Sequence, residues 1–147
     1  MKAHIGVDAE AGLVHTVRGT SGNVSDVVEA NALLHGDETE VFADAGYQGA
    51  HKRPEAKDGV NWNVAMRPGK LAALDKSKRV DQLTDQVECL KASIRAKVEH
   101  PFRVIKRQFG NIKLRYRGLK KNTAQLMTLF ALSNLWMARR SLLGAQG

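Results

Sequence analysis

With 147 residues and 43% hydrophobic content, the chain is long enough to bury one real core. Its single cysteine, Cys89, excludes an internal disulfide and fits a reducing compartment. The net charge of +8 is unevenly spread, because thirteen Lys and Arg face one acid, Glu99, between Lys91 and Arg140, while the rest of the chain is mildly acidic.

Taken in chain order, the opening MKAHIGVD lacks the apolar run of a signal peptide. KAHIGVDAEAGLVHTVRG reads as two short strands joined by a polar turn containing Gly12. Ser25 and Asp26 start a helix in which Val27, Ala30 and Leu34 recur at helical spacing. EVFADAGY follows as a short buried strand ending in Asp44, with Gly46 just beyond and a short helix after it. VNWNVAM alternates Val60, Trp62, Val64 and Met66 with polar residues, as a half-buried strand does. Arg67, Pro68 and Gly69 close it, and a charged loop runs to about Arg79.

A long helix then carries Val87, Leu90, Ile94, Val98, Phe102, Ile105 and Phe109 as its apolar stripe, with Gly110 as its stop. Cys89 lies in this pattern as a small packing residue. IKLRYRGLKK is a basic connector. Asn122 or Thr123 caps a last helix whose Leu126, Leu129, Phe130 and Trp136 are core candidates, as is Trp62. The longest apolar stretch, AQLMTLFALSNLWMA, is too short for a membrane span and holds Gln125, Ser133 and Asn134. The expectation is a cytoplasmic soluble protein, one domain over 1–147, with a basic helical segment at about 81–140. The charge asymmetry points to a polyanionic partner, most simply nucleic acid. A membrane surface fits less well, because no long basic amphipathic helix with an exposed apolar face stands out.

Glu99 is the acid that this basic segment has to explain. On a helix, Arg95, Glu99 and Lys106 fall within roughly 40° of one another, along the border of the apolar stripe. Spacing alone favours a solvated helix with an Arg95–Glu99 pair four residues apart. Pro101 removes the N–H that would bond to Lys97, which predicts a bend or restart near Glu99. Asp44 shifts the balance. A carboxylate at a strand end before a glycine is where open α/β sheets place their chemistry. Asp44 and Glu99 are hard oxygen ligands of the type Mg²⁺ takes. Two such ions, about 3.5–4 Å apart, serve phosphodiester chemistry, with Lys and Arg around Glu99 binding the DNA phosphates.

The segments FADAGYQG, VAMRPGK, ASIRAKVEHPFRVIKRQFG and RYRGLKKNTAQLMTLFALSNLWMARR resemble bacterial insertion-sequence transposases. The group is the one named after insertion sequence five, within the larger four/five-type assemblage. Its signature of Arg, three residues, Glu, six residues and Lys is met by Arg95, Glu99 and Lys106, although Ala92 stands where the assemblage often has Tyr. The resemblance implies an α/β, RNase H-like fold, a mixed sheet flanked by helices, with an Asp-Asp-Glu triad. Asp44 matches the second Asp and Glu99 the Glu, as catalytic residues and ligands of Mg²⁺ or Mn²⁺. The first Asp belongs to a strand upstream of the matched segment, so the expectation is an N-terminally truncated element lacking its first strand. Asp8, in HIGVDAE, is read as a turn residue, with metal ligation as the alternative.

The resemblance further implies cleavage and strand transfer at the element's ends. The partners would be its terminal inverted repeats and target DNA, together with a second copy of the chain or a full-length transposase. The alternative is a DNA-binding remnant without catalysis. DNA-contact candidates are Arg95, Arg103, Lys106, Lys113, Arg115 and Arg117, the last two flanking Tyr116. Arg67, with Lys70, is either a phosphate contact or part of a solvated loop. His4, His15, His35, His51 and His100 show no paired metal spacing, and His100 reads equally as a substrate contact, a cap or a packing residue.

Overall fold

Six residues of alternating Ala, Ile and Val against small or polar neighbours form β1 (Lys2–Val7), which pairs antiparallel with β2 (Val14–Thr20). Asp8 builds the turn between them. Its Oδ1 accepts hydrogen bonds from the Glu10 amide at 2.9 Å and the Ala11 amide at 2.5 Å. Gly12, at φ +70°, then brings the chain back, so the turn reading of Asp8 holds. These two amides hold the Asp8 carboxyl below the usual carboxylate range.

The computed structural model describes residues 1–145. The chain forms two compact units, one comprising Met1–Val24 with the segment from Lys97 onward, the other Ser25–Ala96. In the first unit, α4 (Leu119–Gly144) packs on β2. Gly19 makes that approach possible, since a Cβ there would lie 2.1 Å from Thr123 Oγ1. Asn134 completes the seam by behaving like a neighbouring strand: its Oδ1 accepts from the Val14 amide at 2.9 Å and its Nδ2 donates to the Val14 carbonyl at 2.7 Å. Beneath lie Ile5, Val14, Ile105, Leu126 and Phe130, with Phe102 meeting Phe130 edge to face at 5.2 Å.

In the second unit, β3 (Glu40–Ala43) pairs parallel with β4 (Asn61–Val64). The expected single mixed sheet is thus an α/β chain whose antiparallel and parallel pairings sit in two two-stranded sheets. The helix expected after Ser25 is short. Only Asp26–Glu29 (α1) is α-helical, followed by a 3-10 turn at Asn31–Leu33, because Leu34 already has extended backbone. Two further 3-10 turns, Ala45–Tyr47 and Ala50–Lys52, stand for the short helix. The expected loop before Arg79 contains one helical turn, α2 (Pro68–Ala72), which Pro at its first position preorganises.

The long helix is α3 (Arg79–Arg107), and it does not restart at Pro101. The Pro101 ring is fully buried, and this packing offsets the hydrogen bond that Lys97 loses. Gly110, at φ +62°, ends the run as expected. The expected stripe is buried only in part. Val98, Phe102, Ile105 and Phe109 reach the core, whereas Val87 and Leu90 are 49% and 66% exposed, and Cys89 is exposed as well. Polar chemistry turns that half of the helix. Glu88 is buried, accepts from the Met66 amide at 2.9 Å and pairs with Lys91 at 2.9 Å. Burial acts to raise the Glu88 carboxyl, but the Met66 amide, Lys91 and the Arg95 charge outweigh it and hold it low.

Asn122 is not an N-cap either. The last helix begins at Leu119, and the buried Asn122 side chain reaches back to staple the preceding loop. Trp136 is 37% exposed rather than in the core, because its position on α4 lies beyond the Leu126, Phe130 and Ser133 face. Trp62 is half-buried, with its Nε1 enclosed and unpartnered.

Candidate active site and nucleic-acid interface

The Asp44 carboxylate stands at the C-terminal end of β3, where extended backbone passes into the Ala45–Tyr47 turn. Its Oδ1 accepts from the Gly46 amide at 2.8 Å, which orients the group while leaving it exposed. Gly46 keeps a small space open. A Cβ there would meet Asp44 Oδ1 at 3.0 Å and Asp26 Oδ2 at 3.1 Å, so two carboxylates from different elements converge on it. Burial pushes the Tyr47 phenol up to about 12, and the charges of Asp26, Asp44 and Glu29 add to the effect. This neighbourhood is negative and built from hard oxygen donors, and a cradle that a side chain would fill suits a small divalent cation such as Mg²⁺ or Mn²⁺. Asp26 and Glu29 escaped the sequence reading, since an acid after Ser25 looks like ordinary helix-start chemistry.

Glu99 lies on α3, exposed, and makes no hydrogen bond or ion pair among the described residues. It belongs to the unit of the hairpin, and Asp44 to the other. Arg95 is half-buried beside Glu88, and its Nε is enclosed without a hydrogen-bond partner. Lys106 and Arg103 are exposed on the same helix.

Lys113, Arg115 and Arg117 are exposed on the loop between α3 and α4. That loop is held from within. Asn122 Nδ2 donates to the Tyr116 carbonyl at 2.6 Å and the Gly118 carbonyl at 2.8 Å, and Asn122 Oδ1 accepts from the Tyr116 amide at 3.2 Å. The staple presents both arginines on a loop of set shape. Arg67, just before α2, and Lys70 within it are exposed. Of the expected DNA contacts, Arg103 joins a larger constellation, a cleft that it shares with Lys97, His100, Arg107, Arg139 and Arg140. Arg139 and Arg140 lie far along α4, where spacing relative to the Glu99 motif carries no signal.

Residues 1–135 match the family described as transposase DDE domain. No solved structure matches the chain. Among the described residues, no helix is long and apolar enough to cross a membrane.

Proposed function

Because the chain belongs to the transposase DDE-domain family, we propose that Asp44 and Glu99 are divalent-metal carboxylates of a DNA-cleaving and strand-transferring enzyme. The insertion-sequence-five group is the proposed branch, on the spacing of Arg95, Glu99 and Lys106. The observation that carries the reading is Glu99, a carboxylate without a partner on the most basic stretch of the chain. A surface acid with no structural partner in such surroundings is a natural cation ligand. Bound Mg²⁺ or Mn²⁺ would activate an attacking oxygen and stabilise the leaving one.

The chain's own residues supply the rest. Asp44 is oriented by the Gly46 amide, and the Asp26 and Glu29 charges raise the local cation concentration. Arg95, Arg103, Lys106, Lys113, Arg115, Arg117 and Arg67 hold phosphates of the element's terminal inverted repeats and target DNA. We place this activity in the bacterial cytoplasm at the nucleoid, with a second copy or a full-length transposase as protein partner.

A second reading, DNA binding without catalysis, is favoured by Asp8. Its Oδ1 is engaged by two turn amides, which favours the turn role over metal ligation. The Asp-Asp-Glu triad that the resemblance implies has three carboxylates, of which Asp44 and Glu99 match two. We therefore expect the 147-residue chain to bind DNA without transferring strands. A nicking and strand-transfer assay with Mg²⁺ or Mn²⁺, against a chelated control, separates the readings. Cleavage lost in Asp44→Ala and Glu99→Ala supports the enzyme, DNA binding without metal-dependent cleavage supports the remnant, and robust strand transfer refutes the inactivity expected here.

A further inference from the structure

The first unit contains a cleft of about 630 Å³, formed by the β1–β2 turn, the second half of α3 and the C-terminal half of α4. Lys97, Arg103, Arg107, Arg139 and Arg140 line it, against one acid, Glu10. Among the described residues, Arg103, Arg107 and Arg140 make no hydrogen bond or ion pair. Gathering like charges in a concave wall is unfavourable unless an anion follows them in. Lys97 has a different task, since its Nζ donates to the Ala9 carbonyl and, at 3.5 Å, to the Glu10 carbonyl, fixing the turn that forms one wall.

Trp136 gives the cleft an aromatic face. The Arg139 guanidinium lies over its ring, 4.0 Å from the centroid, and donates to the Trp136 carbonyl, so a cation is held beside the indole. Cations along a groove with an aromatic platform are the means by which proteins hold single-stranded nucleic acid. A duplex keeps both faces of each base against its neighbours, so its bases cannot reach an indole. Arg103 and Arg107 lie roughly 40° and 80° around α3 from Glu99, on the side opposite Lys106 and Arg95.

We propose that this cleft is a binding site for unpaired DNA, with phosphates on Arg103, Arg107 and Arg140 and a base stacked on Trp136. The inference rests on the DNA reading above and adds the state of the strand and its location. The test titrates the full chain with a labelled oligothymidine of about a dozen nucleotides, and with a duplex of equal length. Trp136→Ala is expected to weaken the oligothymidine roughly tenfold or more, Trp136→Phe to retain most of the affinity, and duplex binding to stay unchanged. Arg107 is exposed, so Arg107→Gln probes the cleft without touching the core. It is expected to reduce the slope of log affinity against log salt by about 0.7 for the oligothymidine. If neither Trp136→Ala nor Arg107→Gln alters oligothymidine binding while duplex binding persists, the cleft assignment is overturned and the DNA reading stands. If the unaltered protein binds neither nucleic acid, both are overturned.

Discussion

The two compact units are held together by different physics. The hairpin unit buries Ile5, Val14, Ile105, Leu126 and Phe130, large side chains from four elements. The Ser25–Ala96 unit buries Ala30, Leu33, Ala43, Ala50 and Ala65, and leaves Val80, Leu83, Val87 and Leu90 on α3 exposed. An alanine removes little apolar surface from water, whereas full burial of an Ile, Leu or Phe contributes about 1.5–3 kcal/mol. The second unit relies instead on the buried Glu88, which joins α3 to the end of β4 through the Met66 amide and Lys91. Apolar cohesion is indifferent to pH, but a carboxylate clamp is not. The contrast teaches that one chain can hold regions of unequal strength whose weak points differ in kind.

The largest effect should come from Phe130→Ala, which empties the centre of the first core and is expected to cost about 3–5 kcal/mol. Denaturant unfolding followed by Trp136 fluorescence in a Trp62→Phe background measures it. A cost below about 1 kcal/mol would show that this core is not what holds the unit. Glu88→Ala should come next. It leaves Lys91 unpaired and the Met66 amide unsatisfied, for about 3 kcal/mol, seen by Trp62 fluorescence in a Trp136→Phe background. Equal responses from the two tryptophans would erase the distinction between the units.

Acid sharpens the comparison. The Glu88 carboxyl is held low in the folded state, so its contribution is present above the ordinary glutamate range and is lost as pH falls through the lowered value. The Trp62 signal should therefore change at acid pH in the native protein, and Glu88→Gln should flatten that dependence. Simultaneous acid transitions at Trp62 and Trp136, unaltered by Glu88→Gln, would contradict the clamp. Asn134→Ala should be the mildest, at about 1–3 kcal/mol, because it strips both polar partners from Val14 at the seam of β2 and α4. Hydrogen exchange at the Val14 amide reads it directly, and unchanged protection would remove Asn134 from the seam.

Much of this was legible in the linear order of residues. Gly12 and Asp8 announce the first turn, since a positive φ and a short carboxylate beside free amides are local requirements. Gly110 stops α3 for the same kind of reason, and a run from Arg79 without a glycine specifies a long helix. The arrangement of Arg95, Glu99 and Lys106 is likewise a matter of helical spacing and needs no partner to define it.

What failed depended on neighbours distant in sequence. Val87 and Leu90 follow helical periodicity as well as Val98 and Ile105 do. Only the Met66 amide and the end of β4 decide that Glu88 and Lys91 face inward on that half of the helix. Asn122 looks like a cap by composition, but the Tyr116 carbonyl makes it a staple. Trp136 reads as core until Leu126 and Phe130 take the face against β2, which leaves its indole beside Arg139 in a basic cleft. Periodicity states that a helix has faces, whereas the choice of buried face belongs to the long-range contacts. The sequence by itself determined the Asp8–Gly12 turn, the Gly110 stop of the long helix and the charge of this protein, because these follow from backbone preference and composition. The tertiary structure alone decided which charges are clamps, which are free for a ligand, and where Asp26 approaches Asp44 across Gly46.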